Sequence, residues 1–279
     1  MSSDEVYTSQ LGRSIQEQER THQQFQLITS ALGFLLHPSV AVTLPSEPAI
    51  ADIGTGTGRF LKEIYKHYPN ARRLDGFDIS SAFFDSAEFL PAAIQLHIHD
   101  VKTAFPAHLH GVFDLVHIRY LVGAMEPSDW APVLHNLISL LKPGGGIQWT
   151  EPAGADMKIA CSRVAPDELI LTRLNSIFLE GPMTARSRAG VTMLPQVMQD
   201  AGMTVEQHII NTRDSPHLSQ ELAKNAAIAY LNFARSALGK QSSHAMTEDE
   251  LREAEAKIQE EISYGAYPQY NIHTVLGRI

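Results

Sequence analysis

The chain predicts an α/β protein: a parallel sheet with helices on both faces. Three observations carry that expectation. A short apolar run, Pro48–Ile53, ends in the glycine-rich stretch Gly54–Gly58 and leads into a helix with Phe60, Leu61 and Ile64 on one face. Further strand-like runs follow, separated by helical or turn segments. The stretch "KPGGG" at Lys142–Gly146 stops a helix just before one of them. Alternation of this kind specifies parallel pairing. Right-handed crossovers then bring the C-terminal strand tips to one edge, where ligands bind.

Each element has its own signal. Ser14-Ile15-Gln16-Glu17 has the capping-box pattern and opens a helix to about Gly33. Pro48–Ile53 is apolar throughout, as a strand covered on both faces is. "RRLDGFDIS" (Arg72–Ser80) is a second strand with a polar tip. "IQLHIHDV" (Ile94–Val101) alternates: Ile94, Leu96 and Ile98 face one way, Gln95, His97 and His99 the other. That pattern predicts a sheet edge wetted on one side. "VFDLVHIRY" (Val112–Tyr120) is the fourth strand. Ser128 or Asp129 caps a helix through Leu141, and "IQWTEP" (Ile147–Pro152) is the fifth strand. Pro166-Asp167-Glu168 opens another helix that Gly181 ends. Leu218–Leu238 is helical up to Gly239, and Thr247 with Glu250 forms a second capping box for a helix to about Ile262. Met203–Ile210 and Tyr270–Ile279 complete seven strands. The expected organisation is an N-terminal helical cap over 1–47 and a main domain over 48–279. The main domain carries helical insertions around 153–200 and 215–268. The surplus helices are material for a lid over the strand tips.

Composition removes several classes. The 279 residues include 22 Lys+Arg against 31 Asp+Glu, a formal charge of −9. That balance argues against a non-specific nucleic-acid binder. One cysteine excludes a disulfide framework and a cysteine-rich zinc site. Cys161 without a partner suits a reducing, cytoplasmic setting. No apolar run approaches the roughly 18 residues of a membrane span. The acidic, polar start at Met1–Glu5 does not resemble a leader peptide. The expected partner is a small-molecule substrate, with neither nucleic acid nor membrane, and a monomer or homodimer.

The chemistry concentrates at the predicted strand tips. A glycine turn between strand and helix lets a ligand approach the backbone closely and meet the helix N-terminus. The spacing is GxGxG, with Asp52 two residues before Gly54, not the GxGxxG of dinucleotide sites. An acidic residue there repels a diphosphate and attracts an ammonium group. The loop Gly54, Thr55, Gly56, Gly58 therefore suits a nucleoside carrying an amino acid. Asp78, at the second tip, has the carboxylate that both hydroxyls of a ribose need. Asp100, at the third, can accept from an adenine amino group, with Ile79 and Val101 to sandwich the ring.

These residues resemble the class I S-adenosylmethionine-dependent methyltransferases. The resemblance lies in "ADIGTGTGRF" (Ala51–Phe60), "GFDIS" (Gly76–Ser80), "HDV" (His99–Val101), "FDLVHIRYL" (Phe113–Leu121) and "LKPGGG" (Leu141–Gly146). It covers roughly Pro48–Glu151. It implies a Rossmann-like seven-stranded sheet of order 3-2-1-4-5-7-6, the last strand antiparallel, and S-adenosylmethionine as cofactor. By the family's pattern Gly54–Gly58 holds the methionine part, Asp78 the ribose, and Asp100 with Val101 the adenine. The chain around Ile118 and Arg119 closes the site. The segment Tyr7–Pro38 looks like the helical cap of fungal small-molecule methyltransferases of natural-product pathways. That match rests on Tyr7, the stretch Glu17–Arg20 and an apolar helix ending in "LLHP".

Acceptor and catalytic residues are less sharply marked. His117, late in the fourth strand, is either a general base or a core histidine. Tyr120, just past the tip, is a candidate catalytic residue and a candidate contact for cofactor or substrate. Trp149 and Glu151 either line the acceptor pocket or belong to core and loop. Phe25, with Ile28 and Leu32, forms a helical stripe that packs a core or walls a pocket. His97 and His99 read as a solvated edge face rather than a metal site. The position after the fourth strand offers neither Asp nor Asn, so no metal is expected. The expected function is methyl transfer to a natural-product acceptor through O, N or S, mainly by positioning. The alternatives are a non-methylating cyclase on the same fold and a regulatory methyltransferase-like protein acting through protein partners.

Overall fold

The computed structural model describes residues 14–163, 169–180, 183–236, 238 and 246–279. The strands are β1 (Ala49–Ile53), β2 (Arg73–Asp78), β3 (Ile94–Ile98), β4 (Phe113–Arg119), β5 (Leu141–Pro152), β6 (Lys158–Cys161), β7 (Thr204–Asn211), β8 (Ala266–Gln269) and β9 (Asn271–Arg278). Seven of them form one sheet of order β3-β2-β1-β4-β5-β9-β7. Counted within that sheet, the order is 3-2-1-4-5-7-6, as the resemblance implies. β6 and β8 pair antiparallel in a sheet of their own, which was not foreseen. The helices are α1 (Ile15–Leu32), α2 (Pro38–Ala41), α3 (Arg59–His67), α4 (Trp130–Leu140), α5 (Ile170–Glu180), α6 (Met183–Asp200), α7 (Ser219–Ser236) and α8 (Glu248–Ser263). Among the described residues no helix is long and apolar enough to cross a membrane.

The chain divides into two compact units. One comprises 32–151, 189–209 and 273–279 and contains β1 to β4 and most of β5. β1 lies in mid-sheet, parallel to β2 and β4, and all five of its residues are buried. Its neighbours fix the site by register: Asp52 stands opposite Gly76 on one side and His117 on the other. The core includes Ile53, Phe77, Val116, Ile118, Trp130, Leu134 and Trp149. The second unit comprises 1–31, 152–188 and 210–272. Its core joins Leu171 and Leu174 of α5, Ala227, Tyr230 and Phe233 of α7, and Ile258 and Ile262 of α8. The Glu261 carboxylate accepts from the N–H groups of Ile170 (2.6 Å) and Leu171 (2.9 Å), satisfying donors at the start of α5. Glu17 and Arg20 form a buried two-bond pair at 2.6 and 2.8 Å.

Several elements differ from expectation for physical reasons. β5 begins at Leu141, not Ile147. Phe113 pairs with Leu141 and Leu115 with Gly146, so Lys142–Gly145 bow out of the ladder between them. Asp129 precedes α4 without capping it by side chain; its carboxylate accepts from Glu126 N–H at 2.8 Å instead. On edge strand β3 both faces are packed in part: Ile94 is buried, and the histidines pack against phenylalanines. His97 is opposite Phe77 in register and stacks on it at 5.1 Å, and His99 lies 4.1 Å from Phe105, while Ile98 is 66% exposed. Thr247 and Glu250 make the predicted capping box. Ser14 Oγ accepts from Glu17 N–H at 3.1 Å. The expected helix start at Pro166–Glu168 and the helix ends at Gly181 and Gly239 lie outside the described residues, as does Tyr7.

Candidate functional site

The site begins where β1 runs out. Gly54, Gly56 and Gly58 have φ of 67°, 55° and 72°, a left-handed backbone that glycine adopts without steric cost. The turn is anchored from β2: the N–H groups of Gly54 (2.8 Å) and Thr55 (3.1 Å) both donate to Phe77 O. Gly58 leads directly into α3 and has no side-chain cap to cover the helix start. A Cβ at Gly56 would meet nothing within 4 Å, so the loop has an open side. A fourth glycine makes this packing possible. A Cβ on Gly76 would lie 2.6 Å from Leu96 Cδ2 and 2.7 Å from Thr55 Oγ1. Sequence reasoning passed over Gly76, although a glycine inside a strand marks such close approach.

Asp52 is buried under this loop, 4% exposed, and both its oxygens are committed. Oδ2 accepts from Thr55 Oγ1 and Oδ1 meets His117 Nδ1, each at 2.7 Å. The expected free carboxylate for a ligand ammonium is therefore an internal brace of the loop. The His117 ring stacks on Phe60 at 3.5 Å and 6°. Burial holds His117 below the usual histidine range, opposed by Asp52 and aided by the Arg119 charge. A neutral ring bonded to Asp52 carries its proton on Nδ1. Its Nε2 is buried without a hydrogen-bond partner.

Asp78 sits half-buried at the tip of β2. Oδ2 accepts from Gly56 N–H at 2.9 Å and Oδ1 from Ser80 N–H at 3.2 Å. The carboxylate thus stands directly on the glycine loop. His99 N–H donates to Asp78 O at 2.8 Å, tying the β3 tip to the β2 tip. Asp100 follows, half-buried, its Oδ1 accepting from Lys102 N–H at 3.0 Å. Ile79 and Val101 are half-buried beside them.

At the β4 tip, partial burial lowers Arg119 to about 10, which leaves it cationic at neutral pH. Tyr120 follows with φ 58°. At the β5 tip the burial of Trp149 and Glu151 favours the interior reading of both. Trp149 is fully buried and stacks on Trp130 at 5.2 Å. Glu151 is 1% exposed and accepts from Trp149 Nε1 (2.7 Å), Leu121 N–H (2.7 Å) and Val122 N–H (3.2 Å). Both residues belong to the interior and line no open surface, because β5 is covered on both faces at this end. Burial pushes the Glu151 carboxyl up to about 7.

The structure thus brings Asp52, Gly54, Thr55, Gly56, Gly58, Asp78, Ile79, Asp100, Val101, His117, Arg119 and Tyr120 to the C-terminal ends of four adjacent strands. Phe25 is half-buried on α1, in the other unit. Among the described residues no three His, Cys, Asp or Glu side chains gather as a metal site would require.

Residues 50–145 match the methyltransferase domain family. Among similar proteins is a methyltransferase of Penicillium sp., grgD, 40% identical over 112 residues, which are 38% of this chain and 39% of that one. Another is the N-methyltransferase verN of Clonostachys rogersoniana, 30% identical over 149 residues, 53% of this chain and 52% of that one. The matches thus span between two fifths and half of these relatives' lengths. A solved phosphoethanolamine N-methyltransferase 2 of Haemonchus contortus, in complex with S-adenosyl-L-methionine, superimposes with a TM-score of 0.49 at 14% identity. It covers 92% of this chain and 52% of that one.

Proposed function

We propose that the protein is an S-adenosylmethionine-dependent methyltransferase acting on a small-molecule, natural-product acceptor through an O, N or S atom. One observation carries the reading: the Asp78 carboxylate receives Gly56 N–H at 2.9 Å, which sets an acceptor of ribose hydroxyls on the rim of the open glycine loop. The donor set fits the cofactor. Each Asp78 oxygen accepts an N–H, and a carboxylate oxygen can accept more than one hydrogen bond. The backbone of Gly54–Gly58 would hold the methionine part, and Ile79, Asp100 and Val101 the adenine. Arg119 and Tyr120 would close the site.

When bound, S-adenosylmethionine supplies an electrophilic methyl group on a sulfonium centre. The chain's own work is binding, orientation and exclusion of water. An in-line displacement needs the nucleophile held about 3 Å from the carbon, and holding it there contributes most of the acceleration. His117 is ill placed as a base, since its ring is buried and its Nδ1 is committed to Asp52. Positioning without a dedicated base is the mechanism the site supports best. The names of grgD and verN support methyl transfer, and verN's supports nitrogen among the candidate acceptor atoms.

The test is incubation with S-adenosylmethionine and a panel of amines, phenols and thiols, read by mass spectrometry. The expected result is an acceptor heavier by one methylene unit with an equal amount of S-adenosylhomocysteine. An acceptor converted without S-adenosylhomocysteine, or a wild-type protein that binds no S-adenosylmethionine, contradicts the reading.

A further inference from the structure

The turn after β4 is held in a way the cofactor reading does not require. Among the described residues, Tyr120 is the one non-glycine residue with positive φ, at 58°. Left-handed backbone crowds a Cβ against the following carbonyl, so such a residue persists only where its surroundings impose it. Here the imposition is explicit. Tyr120 N–H donates to Thr150 O at 3.0 Å. The next two N–H groups, of Leu121 and Val122, donate to the two oxygens of Glu151 at 2.7 and 3.2 Å. The carboxylate is itself fixed by Trp149 Nε1 at 2.7 Å, and that indole is fixed by its stack on Trp130. The turn lies against the glycine loop: a Cβ on Gly54 would come 3.5 Å from Leu121 Cδ1. Burying a carboxylate is costly, and an apolar side chain would fill the same space more cheaply. It would also leave three buried donors unmet.

We propose that Glu151 is the positioning residue of the ligand edge: its buried carboxylate clamps Tyr120–Val122 against the glycine loop and holds Tyr120 in left-handed backbone, so that the loop is preshaped for its ligand. The inference rests on the cofactor reading above. It gives Glu151 a role that acts through Tyr120 and Leu121, with no contact of its own to any ligand.

The test is a double-mutant cycle read by calorimetric titration with S-adenosylhomocysteine. The proteins are wild type, Glu151→Leu, Tyr120→Gly and the double variant. Glu151→Leu is expected to weaken binding about fivefold to thirtyfold, the factor that left-handed strain at a non-glycine residue is worth. In the Tyr120→Gly background the same change is expected to have little effect, since glycine needs no clamp. An equal loss in both backgrounds, or no loss in either, overturns the proposal while leaving the cofactor reading intact. A wild type that does not bind S-adenosylhomocysteine overturns the cofactor reading, and this inference with it. If Glu151→Leu does not fold, Glu151→Gln, which keeps the volume and one acceptor oxygen, enters the same cycle.

Discussion

Gly76 shows how one absent atom shapes the site. A Cβ there would fall 2.6 Å from Leu96 and 2.7 Å from Thr55, so β3 and the glycine loop approach each other through it. Gly76→Ala is expected to destabilise the fold by about 1–3 kcal/mol through overpacking, seen as a lower urea midpoint; an unchanged midpoint would mean the neighbours move freely. Glu151 makes the clearest pH prediction. Its carboxyl is raised from 4.5 to about 7 by burial, so between those values the folded chain holds a proton that the unfolded chain releases. Stability from this group is full below pH 4.5 and declines as pH rises through about 7. Urea denaturation of wild type and Glu151→Gln across that range checks it, the variant losing this component of the slope. The placement of Asp78 and the loop glycines at the strand ends was legible in sequence because turn geometry selects residue type. The strain at Tyr120 was not, since no residue type announces a non-glycine left-handed backbone. For Trp149 and Glu151 two readings stayed open, because a strand covered on both faces gives no sign of which face meets a ligand.

The same contrast holds for elements. β1, β2 and β4 were legible because apolar runs ending in polar tips specify buried parallel strands. β6 and β8 have four residues each, too few for a period to show. The start of β5 was hidden because "KPGGG" signals a stop, while the structure accommodates it as a bowed segment between Leu141 and Gly146. Edge strand β3 was legible as an edge, but composition did not reveal that its histidines would pack against Phe77 and Phe105. Capping was legible where it was local. At α8 Thr247 Oγ1 accepts from Glu250 N–H at 3.2 Å, and Glu250 returns a bond to Thr247 N–H at 2.8 Å. Thr247→Ala is expected to cost about 1 kcal/mol. Thermal unfolding followed by circular dichroism measures it, and an undiminished Tm would show the cap to be redundant.

At the scale of the molecule, the length and strand count led to one sheet-based domain with helical additions. The chain resolves into two units, each with its own core, and neither is continuous in sequence. That segmentation was not legible, because it depends on how separated segments converge and no local period records it. Both tryptophans of the chain, Trp130 and Trp149, lie in the core of the sheet-bearing unit. Their fluorescence therefore reports on the unit that carries the glycine loop. A ligand that binds only the folded state raises the unfolding temperature as its concentration rises. S-adenosylhomocysteine is expected to raise the fluorescence transition of the wild type in this way.

The central claim is that the loop Gly54–Gly58 and Asp78 together hold the cofactor, and direct titration tests it most closely. Wild type and Asp78→Ala are titrated calorimetrically with S-adenosylhomocysteine at one pH and salt concentration. Saturable one-site binding to the wild type is expected, weakened roughly tenfold to hundredfold in the variant by the loss of hydrogen bonds to a charged acceptor. Equal affinity in the two proteins would contradict the account.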